Sequence, residues 1–223
     1  NAERNPKSPS LPTASENPLE FLTTTLSHPQ WLAKRYLDRL GLKAATARCT
    51  WNNKVPPIYL RIGPSLDMKD AARQLTHQGV VTQPTVIAPR ALKVLNGSPQ
   101  LTRLYSDGKI YIQDAGSQLI ATLLSKPTKG IVWDACAAPG SKATAISWQG
   151  HQSFIASDRD YRRVRLLVDI AERCGATNLK ALVADALHPP FTTPCELILL
   201  DVPCSGLGTL ARNPDIKWHA TPN

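Results

Sequence analysis

The sequence predicts an α/β protein. A doubly wound, Rossmann-like parallel sheet occupies residues 114–223, incomplete at its end, and a small basic α+β domain over residues 28–113 precedes it. Residues 1–27 read as a linker. Three observations carry the prediction. From residue 114 onward, short apolar runs alternate with stretches at helical spacing. Four aspartates, Asp134, Asp158, Asp185 and Asp201, each close or follow one of those runs. The net charge of +9 is divided unevenly: residues 1–113 carry 15 Lys/Arg against 7 Asp/Glu, and residues 114–223 carry 11 against 10.

Composition narrows the classes. With 42% hydrophobic residues in 223, the chain has enough apolar surface for a packed core. No run nears the ~18 apolar residues of a membrane helix, and no leader segment opens the chain, so no membrane partner is expected. The five cysteines, Cys49, Cys136, Cys174, Cys195 and Cys204, are odd in number and never in C-x-x-C spacing. That argues against a disulfide framework and a zinc site, so no metal is expected and a reducing cytoplasm is the natural compartment. The chain opens on Asn1, has Met68 as its only methionine and stops after "IKWHATPN". It is expected to be a segment of a longer, monomeric protein. The basic first half suits a polyphosphate partner beside a near-neutral catalytic half.

In chain order, residues 1–18 are polar and proline-rich. "PQWLAKRYLDRLGL" predicts a helix with Trp31, Leu32, Tyr36, Leu37 and Leu40 on one face, stopping at Gly41. "PPIYLRIG" (56–63) predicts a strand, and "SLDMKDAARQLTHQG" (65–79) a helix capped by Ser65 with Leu66, Ala71, Ala72 and Leu75 recurring. "VVTQPTVIAPRALKVLNG" reads as a short strand and turns. In the second half, "DAGSQLIATLLS", "GSKATAISWQ" and "DYRRVRLLVDIAERCG" predict helices, the last with Val164, Leu167, Val168, Ala171 and Cys174 on one face. "GIVWDA", "SFIAS", "KALVA" and "ELILLD" predict the strands between them. The fourth of these would be an exposed apolar edge if the sheet ended there, so the segment alone is expected to fold poorly or associate.

The chemistry concentrates at the strand ends. After Asp134 comes a run of small residues, Cys136, Ala137, Ala138, Pro139, Gly140, Ser141 and Lys142. A first strand-to-helix turn must be small for a cofactor to approach its backbone, Pro139 stiffens it, and the next helix offers free N–H groups. The run is neither the G-x-G-x-x-G of NAD enzymes nor a phosphate loop. Asp158, 18 residues past Gly140, has the spacing of an acid that accepts ribose hydroxyls. Each aspartate alone is an ordinary cap or turn residue; four at one sheet edge are harder to explain so.

"DACAAPGSK", "DVPCSG" and "NPDIKW" together resemble the RNA cytosine-5 methyltransferases, in particular the bacterial 16S ribosomal RNA enzymes of the Sun (Fmu) type. "SHPQWLAKRYL", "PPIYLRI" and "YIQDAGSQL" resemble that family's RNA-binding segment and its junction with the catalytic domain. The resemblance covers roughly residues 27–218. It implies a Rossmann-like S-adenosylmethionine-dependent methyltransferase domain, S-adenosyl-L-methionine as cofactor and RNA, ribosomal RNA first, as partner. Cys136 through Lys142 would form the cofactor loop, Asp158 would hold the ribose, and Asp185 would lie near the adenine. Asp201 would stand between methyl donor and target base and stabilise the adduct.

Cys204 is the cysteine of the family's Pro-Cys motif, which helps release product. The family's attacking cysteine stands in a Thr-Cys-Ser motif, and none of the five cysteines here does. The resemblance therefore implies covalent catalysis whose nucleophile is missing from this segment. Ser141 stands where the family usually has glycine, Ala143 where it often has threonine, and Arg61-Ile62-Gly63 where Arg-x-Asn is usual, which puts one RNA contact in doubt. Arg212 and Lys217 are candidates for RNA phosphate; the arginines of the second-half helix, Arg159 to Arg173, read mostly as a solvated face. A transfer RNA or DNA substrate, and a non-catalytic RNA-binding module, remain open alternatives.

Overall fold

The computed structural model describes residues 11–124 and 126–221, so the first ten residues of the expected linker lie outside the described residues. Contacts divide the chain into two compact units, Asn1–Pro56 with Pro203–Asn223, and Pro57–Val202. The first unit is structured earlier than the proline-rich start implied. Helix α1 (Pro18–Glu20), capped by the Asn17 side chain, runs into a π-turn over Phe21–Thr25. Leu22 in that turn is fully buried against Ala33, Ala45 and Cys49. The helical run α2 (Gln30–Asn52) breaks at Gly41 (φ 71°, ψ 167°), where a stop was expected, and then resumes. Ala45, Cys49 and Asn52 recur at helical spacing on the buried face of the second segment. The buried imidazole of His28 meets the Asn52 amide at 3.1 Å and the Leu26 carbonyl at 2.6 Å.

The second unit holds both sheets. Strand β1 (Tyr59–Ile62) is followed by helix α3 (Met68–His77), β2 (Val81–Pro84), β3 (Ala91–Asn96), α4 (Arg103–Ser106) and β4 (Ile110–Ile112). The sheet is antiparallel in the order β2-β3-β1-β4, with Leu60 opposite both Leu92 and Ile112. Leu60, Ile62, Leu92 and Ile110 pack with Ala71 and Leu75 of α3 into one core. The cap of α3 is Asp67 rather than Ser65: its carboxylate accepts from the N–H groups of Lys69 (2.8 Å) and Asp70 (3.2 Å). The strand, helix, strand reading missed β4, which is only three residues long, and the pairing of β2 with β3.

Helix α5 (Ala115–Leu123) leads into the second sheet: β5 (Ile131–Asp134), α6 (Ser141–Ser147), β6 (Ser153–Asp158), α7 (Tyr161–Arg173), β7 (Leu179–Val183) and β8 (Leu197–Leu199). All three pairings are parallel, in the order β7-β6-β5-β8. Every element expected over residues 114–200 is present. Val132, Phe154, Ala156, Ile146 and Leu167 form the core, as strands covered on both sides require. The chain steps outward from β5 to β6 to β7, then returns to place β8 on the other side of β5. That reversal makes a topological switch point between β5 and β8, where such sheets open a crevice at their carboxyl ends. Strand β8 is an edge among the described strands, with Ile198, Leu200 and Val202 exposed. Beyond it, a 3-10 turn (Leu207–Thr209) and helix α8 (Ile216–His219) belong to the first unit.

Candidate active site

The loop after β5 is stitched to both neighbouring strand ends. The Ala135 N–H donates to the Leu199 carbonyl (3.0 Å) and the Ala137 N–H to the Ser157 carbonyl (2.7 Å). The Trp133 indole donates to Ser157 Oγ (2.8 Å), which donates on to the Ala135 carbonyl (3.2 Å). Ala137, Ala138 and Gly140 are buried, Pro139 is exposed, and Cys136, Ser141 and Lys142 are half-buried. Gly140 has φ 112°, and a Cβ on it would stand 2.8 Å from Leu167 Cδ1 of α7. The positive φ disfavours any side chain here, and the Leu167 side chain would have to shift to admit one. Gly140→Ala is expected to cost about 1–3 kcal/mol of stability, read by calorimetric unfolding against the wild type.

Three of the four carboxylates are neighbours at the carboxyl ends of β8, β5 and β6, beside the switch point. Asp134 is 1% exposed, and its Oδ1 has no hydrogen-bond partner. Burial, then the neighbouring Asp201 and Asp158, push its carboxyl up to about 7, against the Cys136 N–H and Lys142, which pull it down. Asp201, just past β8, is half-exposed and forms an ion pair with Lys142 Nζ. Asp158, at the end of β6, has a side chain only 4% exposed; it lies 3.3 Å from Arg163 Nη1 and accepts from the Asp160 N–H at 3.1 Å. Asp185 follows β7, and the intervening Ala184 N–H bonds the Asp158 carbonyl (3.1 Å). Its carboxylate is used locally, accepting from the Leu187 N–H (3.0 Å) with His188 Nδ1 at 4.0 Å.

Sequence reasoning missed Arg163. Besides facing Asp158, it donates to the Ala138 carbonyl (2.7 Å), so it ties the cofactor-sized loop to the acid at the end of β6. Its place one turn after Asp160, the α7 cap that accepts from the N–H groups of Arg162 and Arg163, was the available signal. Two other basic residues need correction. Lys217 is 4% exposed and donates to Asn53 Oδ1 (3.3 Å), so it is not a surface cation awaiting phosphate. Arg61 is 3% exposed and its guanidinium is bonded within the protein, so it offers no surface contact to RNA either.

The thiols divide as their surroundings dictate. Burial holds the Cys49, Cys174 and Cys195 thiols above the usual range. Burial, Asp158 and Asp134 raise that of Cys136, which keeps it in its unreactive protonated form. Cys204 is exposed, in a stretch without regular structure that belongs to the first unit. Among the described residues, no cluster of His, Cys, Asp and Glu is arranged to hold a metal ion, and no helix is long and apolar enough to cross a membrane.

A parallel sheet in this order, with its small-residue loop and carboxylates at the switch point, has the Rossmann-like fold of S-adenosylmethionine-dependent methyltransferases. A methyltransferase homolog protein from Pyrococcus horikoshii superposes on it with a TM-score of 0.76 and 27% identity, covering 90% of this chain and 68% of that one. Sequence profiles narrow the class: "16S rRNA methyltransferase RsmB/F" matches residues 121–223, and the ferredoxin-like domain of the RsmF/B-like methyltransferases matches residues 28–99. Both matched models describe domains of the RsmB/F methyltransferases. The chain is 33% identical to the "Probable ribosomal RNA small subunit methyltransferase B" of Bacillus subtilis over 94% of this chain and 48% of that protein. With the protein of the same name from Synechocystis it shares 35% identity, over 88% of this chain and 46% of that protein. The chain thus spans about half the length of the curated relatives it matches.

Proposed function

We propose that the protein transfers a methyl group from S-adenosylmethionine to carbon 5 of a cytosine in small-subunit ribosomal RNA, through a covalent cysteine adduct. The observation that carries this reading is the set of three carboxylates around a small-residue loop beside the switch point, in a chain whose relatives are named for ribosomal RNA methylation. The residues present fit the cofactor. Asp158, held at the end of β6 by Arg163, would accept the ribose hydroxyls, and Asp185, after the next strand, would lie near the adenine. The loop from Cys136 to Lys142 lets the cofactor approach its backbone, and the carboxyl of Asp134 lacks one partner. Bound there, the cofactor supplies an electrophilic methyl group on a sulfonium.

Covalent catalysis would then activate the base. A cysteine thiolate adds to carbon 6, and the electron pair of the 5,6 double bond moves to carbon 5, which takes the methyl. In its protonated form Asp201 would donate a hydrogen bond to ring nitrogen 3 and so stabilise the adduct; in the free site its carboxylate is held by Lys142. Loss of the carbon 5 proton to a base restores the double bond and expels the thiolate. None of the five cysteines has the family's Thr-Cys-Ser context, so none of them is assigned the attack. Cys204 assists release. The basic residues 28–113 form the RNA-binding domain and residues 114–223 the first part of the methyltransferase domain. A bacterial ribosomal substrate would place the protein in the cytoplasm.

The test is methyl-tritium transfer from S-adenosylmethionine to unmethylated 16S RNA by the full-length protein. Cys204→Ala is expected to slow turnover by about 100-fold or more and to accumulate a protein–RNA adduct on denaturing gels. Label that enters transfer RNA or DNA in preference, or no adduct in that variant, would count against the proposal.

A further inference from the structure

Arg61 is a buried guanidinium with no ion-pair partner among the described carboxylates. Its Nη1 donates to Gln113 Oε1 (2.8 Å) and to the Ser141 carbonyl, its Nη2 donates to Thr144 Oγ1 (2.7 Å), and its Nε is buried without a partner. Burial pulls its pKa down to about 10. An arrangement this costly persists only where other contacts hold it. Two of its three acceptors belong to the first turn of α6, directly after the loop that ends at Gly140. The Thr144 hydroxyl in turn donates to the Gly140 carbonyl (2.9 Å). Aromatic faces supply the rest: Arg61 lies 5.2 Å from the ring centroid of Tyr111 and 4.6 Å from that of Trp148. Arg173 continues the stack, 5.6 Å from Tyr111 and 4.5 Å from Tyr105. The result is an alternating ladder, Tyr105, Arg173, Tyr111, Arg61, Trp148, that runs from α4 past the end of α7 and across β4 and β1 to the C-terminal end of α6.

We propose that Arg61 is a positioning residue for the cofactor loop: from β1 it clamps the Gly140–Thr144 turn in its binding geometry, so that cofactor affinity depends on the small sheet. The part concerning affinity rests on the function proposed above. The choice of arginine follows from the geometry, because only a planar fork reaches a carbonyl and a hydroxyl at once while stacking between two rings. Ser141, which departs from the family's usual glycine, takes part through its backbone carbonyl and not its side chain.

The test compares Arg61→Met with Arg173→Met in the full chain, both well below their melting temperatures. Arg173 belongs to the same ladder, and its guanidinium donates to the Tyr105 carbonyl (2.8 Å), away from the turn. Arg61→Met is expected to weaken S-adenosylmethionine binding by about tenfold, the loss of one charged hydrogen bond or more. Amide hydrogen exchange at Thr144, whose N–H bonds the Gly140 carbonyl at 2.9 Å, should accelerate by a similar factor of about ten without cofactor. Arg173→Met should leave both within about twofold of wild type while lowering the melting temperature. Wild-type affinity and exchange in a folded Arg61→Met protein would overturn the proposal. If the wild type itself binds no S-adenosylmethionine, the functional reading fails, and the exchange comparison alone decides whether Arg61 holds the turn.

Discussion

Asp134→Asn is expected to stabilise the protein above pH 7 and to remove most of its pH dependence between pH 4 and 7. Burial, and then the neighbouring Asp201 and Asp158, push the folded carboxyl up to about 7 from its ordinary 3.8. Between those two values the folded state binds the proton and the unfolded state does not. Stability therefore falls as pH rises through this window and levels off above it. The full shift corresponds to a cost on the order of 4 kcal/mol at pH 8. Asparagine has no charge to bury, so the variant should unfold at the same denaturant concentration at pH 5 and pH 8. Denaturant titrations at both values check this. Equal wild-type stability at pH 5 and pH 8 would mean that Asp134 does not carry the strain assigned to it. The same substitution removes a carboxylate from the switch point, so the gain in stability should come with weaker cofactor binding, as is common where a site stores an unfavourable charge.

Asp158→Ala is expected to weaken S-adenosylmethionine binding by at least about 100-fold, the equivalent of two charge-assisted hydrogen bonds. The carboxylate does two things. It is the acceptor proposed for the ribose hydroxyls, and it holds Arg163, which in turn holds the Ala138 carbonyl of the loop. Alanine removes the acceptor and loosens the loop together. Asp158→Asn keeps the volume and one acceptor, so its loss should be smaller, about tenfold. Equilibrium titration of both variants separates the two contributions. Affinity within about threefold of wild type in the alanine variant would remove Asp158 from the site.

The second half of the chain was legible because its signals are local. Each strand of the parallel sheet is a short apolar run closed by an aspartate or a turn, and each helix repeats its apolar residues on one face. Gly140 could be placed from the small residues around it. The first half was harder because its elements depend on distant partners. Strand β4 is three residues long and exists by pairing with β1, some fifty residues away. Residues 18–25 of the expected linker are helical because Leu22 packs against Ala33, Ala45 and Cys49 from both segments of α2. Asp67 outcompeted Ser65 as a cap because its carboxylate reaches two N–H groups.

At the site, the positions of Asp134, Asp158 and Asp201 could be read, but their states could not. That Asp134 is buried, that Asp201 is paired with Lys142 and that Asp158 is held by Arg163 are long-range facts. Lys217 read as a surface cation because charge is mostly exposed, and nothing local to Arg61 marked it as buried. Their burial depends on Tyr111 and Trp148 in one case and on Asn53 in the other.

Calorimetric titration of S-adenosylmethionine into the wild-type protein and its Asp158→Ala variant tests the central claim, that the switch point is a cofactor site, most directly. The site described here predicts one-to-one binding in the micromolar range by the wild type and no measurable heat from the variant. A cooperatively folded wild-type protein that takes up no S-adenosylmethionine, or a variant that binds it as well, would contradict the claim.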